Sequence, residues 1–190
     1  MALRLFIIIS FTSFSSWAQH SATPTYITWS ENYQVQWNDF QGPADENYVL
    51  AALTSYKIDW KPEAVMVDEN DQIQGYENIT VVANFYKNSS WHSTSSSHIL
   101  EHERLHFDIA ELCARKIRKR FSELKKGKQA TFSVYQQAFT LFWKECRALQ
   151  KRYDRETNHG GAVEINKKWQ RQIWNELKLL DQFKSVETAK

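Results

Sequence analysis

The chain has 190 residues, 24% of them charged, and a formal net charge of +2 at neutral pH. A charge so near balance leaves no electrostatic footprint for nucleic acid. The length is one domain's worth, enough to bury a core.

The N-terminus reads as a secretory signal over residues 1–18. Met1-Ala2-Leu3-Arg4 supplies a positive start, Leu5 to Phe14 is a short apolar run, and Ser16-Trp17-Ala18 ends it with small residues before a cleavage point after Ala18. The run is too short to span a membrane stably, although an uncleaved anchor is the alternative. No cysteine follows it, which argues against a lipid-anchored lipoprotein, and no later segment approaches membrane-spanning length. The expectation is an exported bacterial protein, periplasmic or secreted, whose mature part is one domain over residues 19–190. Its oligomeric state is not legible.

From residue 26 to about 90 the pattern is strand-like. Tyr33, Val35 and Trp37 alternate with polar residues, as do Tyr56, Ile58 and Trp60, while Ile79, Val81, Ala83 and Phe85 form a further period-two series. Asp68-Glu69-Asn70-Asp71 has the composition of an exposed turn. Asn78-Ile79-Thr80 and Asn88-Ser89-Ser90 match glycosylation sequons, but in a bacterial protein they are read as chance. Ser93 to Ser97 is a polar connector, with Ser97 placed to cap the helix that follows.

From about residue 98 the period becomes helical. His98, His102, Leu105, His106, Ile109, Cys113, Ile117, Phe121 and Leu124 form one stripe. Tyr135, Phe139, Phe142, Trp143, Cys146, Leu149 and Tyr153 mark a second helix; Val163, Trp169, Ile173, Leu177 and Leu180 mark a third. A sheet followed by three helices predicts an α+β fold, with the helices packed on one face of an antiparallel sheet. The tryptophans of the mature chain fall mostly at core positions and serve packing. Arg115-Lys116-Ile117-Arg118-Lys119-Arg120 reads as a solvated helix face, with contact to an anionic envelope surface as the lesser alternative.

Export makes a disulfide available. Cys113 and Cys146 lie symmetrically about the turn-like Lys126-Gly127-Lys128, so an antiparallel helix hairpin folded there would face the two thiols across its seam. Two reduced, packed cysteines are the alternative.

The chemistry resides in His102-Glu103-Arg104-Leu105-His106, which reads H-E-x-x-H within the first helix. Histidines four apart share a helical face and can grip one zinc ion, and the glutamate beside the first is placed to take a proton from a zinc-activated water. The competing view makes both histidines members of the core stripe. Two histidines leave such a site one protein ligand short. His98 is eight residues from His106, about 12 Å along the axis, too far to share the ion. Asp108 and Glu111 are rotated off the face and suit supporting roles. His159, just past the second helix in a loop with Gly160 and Gly161, is the best third ligand, since a hairpin returns that end to His102 and the glycines permit close approach. Asp154 and Glu156 are held in reserve, and His92 is weaker. The alternative for His159 is a helix-ending loop.

Trp37-Asn38-Asp39-Phe40-Gln41-Gly42, the block from His102 to Glu111, and Tyr153-Asp154 through Thr157 to His159-Gly160 occur in an order that resembles the bacterial domain-of-unknown-function family 922, associated by motif with secreted zinc-dependent proteases. The resemblance covers nearly all the mature chain. It implies a zincin-like fold, with His102 and His106 as zinc ligands, Glu103 as catalytic acid and base, and His159 matching the family's downstream histidine. Leu105 stands where the family more often carries a small residue, which narrows the pocket.

The expectation is therefore a secreted zinc metallopeptidase with a peptide or protein substrate, Glu103 serving as general base. Tyr135, Tyr153 and His98 are the candidates for stabilising the oxyanion, and the strand from Ile79 to Phe85 is either a pairing edge for an extended substrate or an ordinary sheet strand. The competing class is a non-catalytic exported module stabilised by zinc, a degenerate peptidase.

Overall fold

A computed structural model describes residues 25–44 and 50–185; the signal-like segment at 1–18 lies outside them. Among the described residues, five short strands precede three α-helices. They are β1 (Tyr26–Thr28), β2 (Ala52–Leu53), β3 (Tyr56–Lys61), β4 (Thr80–Tyr86), β5 (Trp91–His92), α1 (Ser97–Lys126), α2 (Phe132–Thr157) and α3 (Val163–Leu179). The expected α+β architecture is what forms. β4 is the middle of an antiparallel sheet ordered β1-β4-β3, and β2 pairs antiparallel with β5 in a separate ribbon.

The period-two residues of β4 turn Val81, Ala83 and Phe85 into the core, where each is at most 1% exposed. They meet α1, which is 30 residues and about 45 Å long. Its middle is buried almost all round, through Ile109, Ala110, Leu112, Ala114 and Ile117, because sheet, α2 and α3 all pack on it. Trp60 of β3 closes one end of the core against Phe121, Phe132 and Phe139. Cys113 and Cys146 are joined, with Cα atoms 5.8 Å apart, so α1 and α2 form the expected disulfide-linked hairpin about Gly127. Among the described residues no helix is long and apolar enough to cross a membrane.

Three local expectations are corrected, and one open alternative is decided. The alternation at Tyr33, Val35 and Trp37 makes no continuous strand: it ends in a single 3-10 turn at Trp37–Asp39, which Asp39 holds by accepting from Tyr33 Oη (2.6 Å) and the Gln36 amide (2.9 Å). The helix begins at Ser97 with Ser96 at the cap, and no side chain caps it. Of the two alternatives for Ile79–Phe85 the ordinary sheet strand holds: β3 pairs along Thr80–Phe85 and β1 at Asn84–Tyr86, while the carbonyls of Ile79, Val81 and Ala83 on the β1 side already accept from Lys125, Arg118 and the Trp29 amide. The basic run is only partly solvated. Lys119 and Arg120 are exposed, but Arg115 and Arg118 are buried and converge on Glu111 Oε1 at 2.9 and 2.5 Å, because α1 runs through the interior rather than over the surface.

Candidate metal centre

His102 and His106 lie one turn apart on α1, 2% and 9% exposed, with their Nε2 atoms 3.1 Å from each other. Asp154, in the last turn of α2, brings Oδ1 to 3.3 Å from the first and 2.9 Å from the second. These three residues form a group able to hold a metal ion. Four ligands set tetrahedrally at 2.0–2.1 Å from an ion stand about 3.3 Å apart, close to the three separations here.

Each imidazole is held so that Nε2 faces the cluster. Gln150 Nε2 donates to the backbone oxygen of His106 (2.9 Å), which fixes the orientation of the amide and leaves Oε1 to accept from His106 Nδ1 (2.5 Å). Thr157 Oγ1 donates to Tyr153 O (2.7 Å) and faces His102 Nδ1 at 3.4 Å. With a metal bound, protons on both Nδ1 atoms would leave the Nε2 lone pairs as ligands in place of the present hydrogen bonds to Asp154. Tyr153 stacks on His102 with ring centroids 4.6 Å apart, and its hydroxyl donates to Asn166 and toward His102 O.

The electrostatics agree. Burial would raise the Asp154 carboxyl, but hydrogen bonds from His102 and His106 override it and hold the group well below the usual carboxylate range. Burial lowers His102. Burial would lower His106 as well, but Asp154 and Glu103 outweigh it and raise the imidazole. Any cation entering here competes with that proton.

Glu103 is 4% exposed, and its Oε2 is buried with no hydrogen-bond partner. It lines a cleft of about 280 Å3 together with His102, His106 and Asp154. The opposite wall is the run from Leu50 to Thr54, tied to the helix by Thr54 Oγ1 donating to Glu103 O (3.2 Å).

His159 reaches the same cleft but stands outside the three-residue group. Its Nδ1 is 3.7 Å from Asp154 Oδ1 and its side chain is 54% exposed. The third place in the group belongs to Asp154, the residue held in reserve. Glu156 instead accepts from Trp169 Nε1 (3.0 Å), and His92 stacks on Trp37 with centroids 4.5 Å apart. His98 is exposed and bonded to Ser96 Oγ. Neither it nor Tyr135 nor Tyr153 lines the cleft; Tyr56, which sequence reasoning missed, does. Asp108 and Glu111 have the expected supporting roles, Asp108 accepting from Trp29 Nε1 (2.8 Å). Gly160 provides the close approach expected of the loop: at φ +87° it leaves room for His102 Cβ, which a methyl group would meet at 3.1 Å.

Fold and cluster together define an α+β protein with a candidate metal centre where its longest helix meets the end of the next. The chain belongs to the family described as "Bacterial protein of unknown function (DUF922)", whose model matches residues 28–160. That span takes in the Trp37–Gly42 turn, the H-E-x-x-H block and the segment from Asp154 to Gly160. Comparison with curated proteins and with solved structures gives no match.

Proposed function

We infer that the protein is an exported zinc-dependent hydrolase that cleaves peptide bonds. The observation that carries this reading is Glu103 Oε2, a buried carboxylate oxygen with no hydrogen-bond partner, in the cleft that holds His102, His106 and Asp154. A buried acceptor left bare costs about 1–3 kcal/mol. Retaining it makes sense where a transient donor must dock. Two imidazoles and one carboxylate with a position left open suit catalytic zinc, whereas a structural site is closed by four protein ligands.

When bound, zinc would supply Lewis acidity, activating water and polarising a carbonyl. The chain's own residues do the rest. His102, His106 and Asp154 would hold the ion, and His159 stands at the rim of the same cleft. Glu103 accepts a proton from the attacking water and delivers it to the leaving nitrogen. Tyr56, whose pKa burial pushes up to about 12, keeps its O–H at neutral pH and serves as the donor to the developing oxyanion. The wall from Leu50 to Thr54, rather than β4, lies beside an extended peptide. The signal-like N-terminus and the Cys113–Cys146 bridge support export.

The test is cleavage of a mixed peptide library by the purified mature protein, with metal identity read by mass spectrometry. Cleavage should stop with a chelator and return with about one equivalent of zinc. Bound zinc with no cleaved peptide would instead assign the protein to the class of non-catalytic, zinc-stabilised binding modules.

A further inference from the structure

A larger cavity, about 520 Å3, opens beside α1 between the segment around Trp29 and the C-terminal half of α3; none of its lining residues belongs to the metal cleft. Arg115 reaches it from inside the protein and is 1% exposed. Its guanidinium is only partly used. Nε donates to Glu111 Oε1 (2.9 Å) and Nη1 to Leu177 O (2.8 Å), while Nη2 has no hydrogen-bond partner. Nη2 is instead in a loose ion pair with Glu31 Oε1, 3.5 Å away, and both residues line the cavity.

The buried charges do not balance. Glu111 is one carboxylate serving two buried guanidinium groups, those of Arg115 and Arg118. On the cavity side Arg115 meets Glu31 and Asp181, each 3.5 Å away and each more than half exposed, and Asp108 is the third carboxylate of the lining. Arg104, Lys178 and Lys184 also line the cavity, Lys184 sharing Glu31 and Asp181 with Arg115 at 3.7 and 3.5 Å. Desolvated guanidinium donors make strong, charge-assisted bonds to anions such as carboxylates, and the apolar walls here favour an organic one.

The remaining walls are aromatic. Trp29 lies under the Arg115 guanidinium at 5.2 Å, and Trp174 is 60% exposed with Lys178 Nζ 3.4 Å above its ring. Phe107 and Tyr33 complete this apolar part. We propose that this cavity is a binding site for an organic carboxylate with an apolar, ring-sized body. The ligand carboxylate takes the place that Glu31 fills loosely and bonds to Arg115 Nη2, while its body lies between Trp29 and Trp174. The proposal stands independently of the metal centre.

The test is calorimetric titration of N-acetyl-phenylalanine, its methyl ester and inorganic phosphate into the mature protein and a Glu31→Gln variant. Glu31 is more than half exposed and its substitution removes one competing carboxylate while Asp181 still pairs with Arg115; unfolding curves of both proteins check that the fold is kept. The acid should bind about tenfold or more tighter than the ester, as a charge-assisted bond requires, and tighter than phosphate. Glu31→Gln should tighten the acid about three- to tenfold, an effect that carboxylate binding at the metal would not produce. The proposal is overturned by acid and ester binding alike, by phosphate matching the acid, by Glu31→Gln leaving affinity unchanged or weaker, or by no acid binding at millimolar concentration.

Discussion

Gln150 grips His106 at two points, accepting from its Nδ1 at 2.5 Å and donating to its backbone oxygen at 2.9 Å. One buried amide thereby sets both the tautomer of the imidazole and its rotation. Gln150→Leu keeps the bulk and removes both bonds. The variant should fold and bind zinc about 10–100-fold more weakly, the usual cost of losing such a partner, as read by chelator competition. Unchanged affinity would mean that packing alone orients His106.

Gly160 and His102 are in similarly close contact. A Cβ at residue 160 would stand 3.1 Å from His102 Cβ and Cγ and 3.0 Å from Ile99 Cδ1, at a φ of +87° that L residues rarely adopt. Gly160→Ala should therefore cost about 1–3 kcal/mol of stability. It should also weaken metal binding by displacing His102. Thermal unfolding and chelator competition on one preparation check both effects, and a fully stable variant with native affinity would contradict the geometry.

The disulfide should matter through the chain it encloses. Its cysteines are 33 residues apart, and closing a loop of that length implies about 3–4 kcal/mol in the chain-entropy model. The double variant Cys113→Ser, Cys146→Ser should lose that much in urea unfolding. No loss would place the stability of the hairpin in its packing alone.

Much of this was legible because it depends on local periodicity. The i,i+4 histidines, the switch from period two to 3.6, and the symmetric cysteines each follow from helix or strand geometry. The sequence favours His159 over Asp154 because it does not show how far α2 runs. α2 continues through Thr157, so Asp154 stays on the helical face that meets His102 and His106. His159 comes after Asn158, whose φ of +50° turns the chain to the rim of the cleft. No periodicity announces where a helix stops to that accuracy. The burial of Arg115 and Arg118 was hidden because charge usually means solvent. The signal was Glu111, four and seven residues before them on one face of α1. Gln150 carried no signal, since its role depends on a contact between two helices, made by residues 44 apart in sequence.

The central claim is that Glu103 works on a water beside a metal held by His102, His106 and Asp154. Glu103→Gln keeps size and hydrogen bonding but cannot accept a proton. Zinc content and peptide cleavage should be measured on the same preparations of wild type, Glu103→Gln and Asp154→Ala. The account predicts that Glu103→Gln retains about one zinc per chain and its fold while losing at least about a hundredfold in cleavage, and that Asp154→Ala loses both metal and activity. A Glu103→Gln protein that cleaves peptide as fast as the wild type would contradict it.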